Sequence, residues 1–408
     1  MDGTSPLWNP FDPAFRADPY PFYDRLRTEA PAYLAPGGQT VLTRYDDVFA
    51  TLRSNEVSRD VEANATLDPT DEVAVRRRQR RRGGAKTILN LDPPDHTRLR
   101  RLVSKAFTPR QIEVLRPRIE QMVDEALDVA ADRGSMELID DLAFPVPFRV
   151  ISELLDMPTD RADELRDWSQ ALTVGLEPAA TMADLDAAEA AVLSLVPYLV
   201  EIIEDRRVHP GDDLLSALLA VEEAGDALSG EELISFVVLL YVAGHETTVN
   251  LIGNGMLALL RHPDQLRRWR SDPSLDAVAV DELLRYDGPV QHTVRVAIQP
   301  MRFEGADGAT VEVEPGRTLL TVLGAANRDP GVFDAPHGLR LDRSNAGRHL
   351  AFSAGIHYCL GASLAKLEAT VAITRLIRRF DEIALADEPH WRDRITIRGV
   401  DRMALSLR

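Results

Sequence analysis

The strongest constraint on the fold lies between residues 229 and 263. Ser229-Gly230-Glu231-Glu232 is a capping box, with Ser229 as the cap and Glu232 three positions on. The helix it starts is expected to run to about Arg261, where His262-Pro263 stops it. Some 30 residues rising 1.5 Å each span roughly 45 Å, enough to cross a whole domain. Leu233, Ile234, Phe236, Val237, Val238, Leu239 and Leu240 leave its first half apolar all round, so the rod is expected to be buried.

Into this rod the sequence inserts Ala243-Gly244-His245-Glu246-Thr247-Thr248. A buried glycine weakens a helix by about 1 kcal/mol, and buried Glu and Thr side chains need partners. Such a stretch is either a structural polar kink or a functional site, and function is the usual reason. A threonine hydroxyl can bond back to the carbonyl one turn earlier and open the ladder, leaving room for water or a diatomic ligand.

The lone cysteine, Cys359, stands where a glycine-punctuated loop enters a helical pattern of Leu360, Leu364, Leu367 and Val371. A helix N-terminus offers free N–H groups and a positive dipole end, both of which favour a thiolate, a soft ligand for iron. Gly355 and Gly361 are expected to let the backbone approach a bulky flat partner and to adopt conformations closed to side chains. Taken alone, the commoner role of a lone cysteine is structural burial.

The remaining chain reads as mainly helical with a small β region. A helix capped by Thr108-Pro109 and ended by Gly134 should kink at Pro117, and further helices are expected around 145–156, 160–173, 182–207 and 212–224. Strands are expected in a hairpin near 32–43 and at 290–325 and 394–407. Between 54 and 85 no periodicity survives, and the run of arginines at 76–82 reads as a solvated mobile loop or as a site for a polyanion or acidic substrate. No repeat, linker or composition break divides the chain, so residues 1–408 are expected to form a single domain.

Composition narrows the function. With 47 basic and 65 acidic side chains the net charge is -18, which argues against nucleic acid as the main partner. One cysteine excludes an intramolecular disulfide framework and suits a reducing cytosol. The first 21 residues lack a basic region followed by an apolar run, and no apolar stretch reaches the ~20 residues of a spanning helix, so a soluble, cytoplasmic protein with no membrane partner is expected.

The segment from Ala351 to Gly361 resembles the haem-ligand loop of the cytochrome P450 family. That pattern runs aromatic, small, any, glycine, any, basic, any, cysteine, any, glycine, and Phe352, Ser353, Gly355, His357, Cys359 and Gly361 fill its fixed places. The hexapeptide beginning at Ala243 resembles the family's oxygen-activation motif. Asp92-Pro93-Pro94-Asp95-His96-Thr97-Arg98-Leu99-Arg100 resembles its propionate-binding segment, and Glu282 with Arg285 and Arg343 resembles its structural charge triad. Ala326-Asn327-Arg328-Asp329-Pro330 also follows the family pattern.

The resemblance implies a single, mostly α domain of the cytochrome P450 fold, with heme b between the central helix and the cysteine-loop helix. Cys359 would be the iron ligand, with Phe352 and Gly361 beside the cofactor and His96, Arg100, Arg295 and His357 on its propionates. Ala243 and Gly244 would form the groove for dioxygen, while Thr247 bonds it and Glu246 delivers protons as a general acid. The implied reaction is hydroxylation of a C–H bond in a hydrophobic small molecule of steroid, terpenoid, fatty acid or polyketide type, suggested by the apolar face of Val238, Leu239 and Val242. Epoxidation, desaturation or C–C coupling on the same fold, and a haem-binding sensor without turnover, are the alternatives. The chain carries no flavin or iron–sulfur motif, so electrons are expected from a separate ferredoxin and ferredoxin reductase. The ferredoxin would dock near the cysteine side on Arg98, Arg101 and Lys105, and the enzyme is expected to be a monomer.

Overall fold

The computed structural model describes residues 7–66, 70–82, 87–105, 107–158, 161–220, 222–223 and 226–408. Its centre is the helix Gly230–Arg261, started by the expected box: Glu232 N donates to Ser229 Oγ at 3.2 Å and Ser229 N to the Glu232 carboxylate at 2.9 Å. By length and composition this helix alone among the described residues is apolar enough to cross a membrane, but its most apolar window is 61% buried inside the protein. Ile252, Met256 and Leu259 share one core with Leu283, Ile373 and Leu376 from the helices Ala279–Asp287 and Ala362–Arg379. Each fully buried Leu or Ile contributes about 1.5–3 kcal/mol. The approach is close at Gly255, where a Cβ would sit 2.9 Å from Leu283 Cδ1 and 3.3 Å from Ile373 Cδ1.

Helices surround this core where the periodicity places them: Pro145–Leu154, Ala162–Val174, Met182–Val208 and the short Leu214–Ala220. The helix expected to kink at Pro117 is two helices, Pro109–Val114 and Arg116–Arg133, meeting at Leu115. Pro117 lies in the first turn of the second, where its missing N–H has no partner to lose.

The β structure is small, as expected. A five-stranded sheet has the order 32–34, 40–42, 318–322, 292–297, 57–58, antiparallel except for the parallel pair of 40–42 with 318–322. The stretch expected as strand from 394 to 407 is divided. Val400–Arg402 pairs with His390–Trp391 as a C-terminal hairpin, and Ala404–Leu407 joins Ile383–Leu385 and Ser135–Glu137. Residues 395–397 leave both ladders: their backbone N–H groups go to the Glu177 carboxylate, and Ile397 forms an isolated antiparallel bridge with Val290.

The arginine run corrects the loop reading: it lies in a helix, Glu72–Arg82. Arg76 pairs with Glu189 at 2.7 Å and Asp186 at 3.7 Å, Arg77 donates to the Glu177 carbonyl, and Arg78 donates to the Ala65 carbonyl at 2.6 Å. The side chains of residues 80–82 and all of 83–86 lie outside the described residues.

The charge triad forms as a buried unit. Arg285 Nε and an Nη bond the two Glu282 oxygens at 2.7 and 2.8 Å, and Arg343 Nε reaches them at 3.0 and 3.2 Å.

Candidate functional site

From Tyr241 to Leu259 every residue of the central helix is buried except Ala243, Gly244 and Thr247. The helix runs unbroken through this stretch, so the expected opening of its ladder does not occur. Several of its polar side chains bond to the helix's own carbonyls. Thr247 Oγ donates to the Ala243 carbonyl at 3.0 Å, Thr248 Oγ to Gly244 at 3.4 Å, and Asn250 to Glu246 at 2.9 Å. His245 Nδ1 lies 2.7 Å from the Tyr241 carbonyl, its ring among Phe144, Phe148 and Tyr241.

Glu246 is 2% exposed and held by two guanidinium groups, Arg392 and, at 2.9 Å, Arg394. Burial alone pushes its carboxyl up, but Arg392 and Arg394, with a further contribution from His245, hold it below the usual carboxylate range. In this arrangement Glu246 is an anchored carboxylate. Neither arginine announces itself in the sequence, where they stand 146 and 148 residues further on.

Glu368, on the cysteine-loop helix, is the opposite case. It is 1% exposed, one carboxyl oxygen has no partner, and burial raises it to about 8, partly offset by the Thr248 hydroxyl. It is a neutral acid in the fold, and sequence reasoning passed over it as one more residue of an amphipathic helix.

The cysteine loop is held from both sides. Cys359 N donates to the Phe352 carbonyl at 3.0 Å, and Arg100 reaches the Tyr358 carbonyl at 2.8 Å. Gly355 has φ +70°, and a Cβ there would lie 2.6 Å from the Leu52 carbonyl, so this glycine is required as expected. Gly361 is different: its φ of -85° suits any residue, but the space beside its Cα is open. Cys359 is an exposed residue, yet the surrounding protein desolvates its thiol and raises it, against the Gly361 N–H and Arg100, which lower it.

Around the loop lie five cationic or ionisable groups, His96, His357, Arg59, Arg100 and Arg295, with one carboxylate, Asp92, beside them. His96 and His357 lie 4.2 Å apart between ring centroids, tilted by 48°, and His96 Nδ1 and His357 Nε2 are buried without a partner. Burial, then His96, Arg295, Arg59 and Arg100, push His357 down to about 3. Burial lowers Arg295, 2% exposed, to about 10, with Asp92 opposing. Arg59, whose guanidinium donates to the Val294 carbonyl at 2.8 Å, joins this cluster without any motif to mark it.

These groups fit a haem. The orphaned imidazole nitrogens and the surplus of positive charge suit two propionates, the exposed thiol suits an iron, and the open space beside Gly361 admits a flat macrocycle. The chemistry defined is that of a haem-thiolate oxidoreductase.

The cytochrome P450 family model matches residues 273–393. Cytochrome P450 107B1 of Saccharopolyspora erythraea is 43% identical, over 96% of each chain. The 6-deoxyerythronolide B hydroxylase of the same organism is 38% identical, over 97% of each. The solved structure of PksS, the cytochrome P450 of the Bacillus subtilis 168 bacillaene polyketide synthase, superposes with a TM-score of 0.86 at 36% identity, over 98% of this chain and 99% of that one. The chain therefore belongs to the cytochrome P450 family; it is an oxidoreductase whose cofactor is heme b.

One sequence expectation about the surface needs correction. Arg98 is not available for a partner, because it is engaged with Glu232 and, at 3.2 Å, with Asp226. It ties the helix Asp95–Ser104 to the start of the central helix.

Proposed function

We propose that the protein is a monooxygenase that inserts one oxygen atom of dioxygen into a C–H bond of a hydrophobic small molecule, with a polyketide-type substrate favoured. The observation that carries this reading is the accessible window of Ala243, Gly244 and Thr247 on an otherwise buried helix, at the stretch that resembles the family's oxygen-activation motif. The half-buried Val238, Leu239, Val290, Thr293 and Val294 offer apolar contacts and hydroxyls, not charge. The hydroxylase and polyketide synthase designations of the two relatives support the reaction and the substrate class.

The haem, when bound, supplies the oxygen-activating chemistry. Cys359 would ligate its iron, and His96, Arg100, Arg295 and His357 would pair with its propionates, Phe352 and Gly361 lying beside it. Thr247 presents its hydroxyl oxygen as an acceptor while its proton stays on the Ala243 carbonyl. Glu246 holds or passes a proton at its carboxylate, and only by leaving its arginines. Electrons come from a separate ferredoxin and its reductase, the ferredoxin docking over the exposed Arg101, Lys105, Ile356 and Tyr358. We read the enzyme as a cytoplasmic, single-domain monomer, in keeping with its one continuous main core and its lone cysteine at the site.

The test is a difference spectrum of the purified protein. A thiolate-type reduced-CO band that Cys359→Ser abolishes is expected, together with a substrate-induced Soret shift from macrolactones and a product heavier by one oxygen atom. A product lighter by two hydrogens would replace hydroxylation by desaturation. NADH not consumed with surrogate redox partners would favour a sensor.

A further inference from the structure

The tip of the C-terminal hairpin, residues 392–399, touches two parts of the protein at once. On one side it lies on the central helix. Arg392 and Arg394 grip the same oxygen of Glu246, and at Gly399 a Cβ would lie 1.9 Å from Asn250 Oδ1. On the other side it meets the turn between the helices Ala162–Val174 and Met182–Val208. There the Glu177 carboxylate accepts three successive backbone N–H groups, from Ile395 and Thr396 at 2.9 Å each and from Ile397 at 3.2 Å. Arg394 also donates to Thr173 Oγ at 3.2 Å, so one guanidinium bridges that helix and Glu246.

The base of the hairpin is fixed independently. Arg398 stacks on Trp391 at 3.7 Å, bonds Asp287 at 3.0 Å and reaches the carbonyls of Arg16 and Ala17 at 2.9 and 3.0 Å. The hairpin's strand register ends at Trp391 and Val400, with one further bond from Arg392 N to the Gly399 carbonyl at 3.0 Å. The tip's position is set by Glu177, 4% exposed, by the contacts with the central helix, and by an antiparallel bridge of Ile397 with Val290 in which Gln291 N donates to the Thr396 carbonyl at 3.0 Å. The turn carrying Glu177 is in turn held to the arginine helix by Arg77 on the Glu177 carbonyl.

We propose that Glu177 is a positioning residue for oxygen activation: by docking the turn at 175–181 on the backbone of residues 395–397, it keeps Arg392 and Arg394 on Glu246 and so sets when Glu246 is free to carry a proton. The inference rests on the monooxygenase reading. With the turn docked, Glu246 is fixed and ion-paired. With the turn withdrawn, the hairpin tip loses three N–H acceptor contacts and the Thr173 contact together, and the guanidinium groups are free to leave. Movement of the two helices joined by this turn is thereby linked to proton supply at the central helix. The charged groups facing Glu246 are Arg392 and Arg394 from the hairpin and His245 from its own helix, with Arg166 near His245.

The experiment uses the haem-loaded enzyme with a surrogate ferredoxin, its reductase, NADH and a substrate that gives the Soret shift. NADH-driven turnover is measured against pH for wild type, Glu177→Ala, Arg394→Ala and the double variant, beside peroxide-driven turnover of each. Losing one ion-pair partner raises a carboxyl by about one unit or more, a ~tenfold change in its protonated fraction at fixed pH. The alkaline fall of NADH-driven turnover should therefore move up by about one pH unit in Glu177→Ala and in Arg394→Ala, with no further movement in the double variant. Peroxide-driven turnover should keep its pH profile. Glu177→Gln retains one acceptor oxygen and should shift the profile less, in the same direction; it keeps the test decisive if Glu177→Ala does not hold haem. A profile that moves in Arg394→Ala but not in either Glu177 variant overturns the proposal. So does an equal loss of both activities at every pH, which marks a purely structural role. Wild-type protein that consumes no NADH despite a thiolate-type reduced-CO band would instead sink the monooxygenase reading.

Discussion

Glu282→Gln removes the single negative charge between two buried guanidinium ions. Glu282 is 0% exposed, Arg285 1% and Arg343 6%. The carboxylate takes both Arg285 and Arg343 and also the Arg340 backbone N–H at 2.9 Å. Breaking a buried pair from one side costs about 3–5 kcal/mol, because the remaining charge stays buried. Each arginine keeps carbonyl acceptors: Arg285 has Asn327, Pro336 and Gly338 at 3.0, 2.8 and 3.1 Å, and Arg343 has Asp334 at 2.5 Å and Gly338 at 3.2 Å. These place the cost toward the lower end of that range. An unfolding entropy near 2.1 cal/mol/K per residue over 408 residues gives about 0.9 kcal/mol/K, so the expected fall in Tm is roughly 3–4 °C. The assay is thermal unfolding of the haem-loaded protein, with Arg118→Ala as the control. Arg118 meets Glu153 in three contacts, but both side chains are about 40% exposed, 39% and 40%, and a surface pair contributes about 0–1 kcal/mol. A Glu282→Gln shift no larger than that of the control would refute the reasoning, because the triad would then be solvated rather than buried.

Glu368→Gln should stabilise the protein increasingly as pH rises. The folded carboxyl titrates near 8 against about 4.3 unfolded, so wild type loses up to ~1.4 kcal/mol of stability per pH unit between about pH 5 and 8 and levels off above, and parallel Tm–pH curves for the two proteins would contradict this. Gly355→Ala puts an alanine in the left-handed region, at about 1–2 kcal/mol, and drives its Cβ against the Leu52 carbonyl. A weaker reduced-CO band per mole of protein is the expected result. Gly399→Ala collides with Asn250 and should lift the hairpin tip, shifting the alkaline limb of NADH-driven turnover in the same direction as Glu177→Ala; an unmoved limb counts against the hairpin's grip on Glu246.

The parts of this fold that were legible in the sequence are those written in local grammar. Ser229 and Glu232 close a box over three residues, Gly134 takes the left-handed C-cap of its helix, and Glu282 with Arg285 share one helix face. Arg343 and the propionate set required the resemblance, since Arg295 and His357 are far apart in the chain and meet only through the fold. The arginine helix was not legible because it is polar all round, and hydrophobic periodicity has nothing to report there. The hairpin tip was misread as strand for a different reason. Its N–H groups are satisfied by a carboxylate 218–220 residues away, a partner that no pattern of neighbours encodes.

The central helix shows where the site can and cannot yield. A run of Gly, His, Glu, Thr and Thr in a buried rod ought to break it, yet the helix continues from 230 to 261. It survives because most of its polar groups have partners within one turn. The hydroxyls of Thr247 and Thr248 return to their own helix, Thr248 also meeting Glu368, His245 Nδ1 returns to the Tyr241 carbonyl among aromatic rings, and Glu246 is the one charged group of the run, held by another element. A helix whose hydroxyls at this stretch bond back to their own carbonyls is a rigid support, which is what an oriented hydroxyl at Thr247 requires. Adjustment of charge at this site must then come from Glu246, the one charged group of the run, and its external partners. That places the variable part of the proton path on Arg392 and Arg394, and on whatever holds their backbone in place, rather than on the helix that carries the motif.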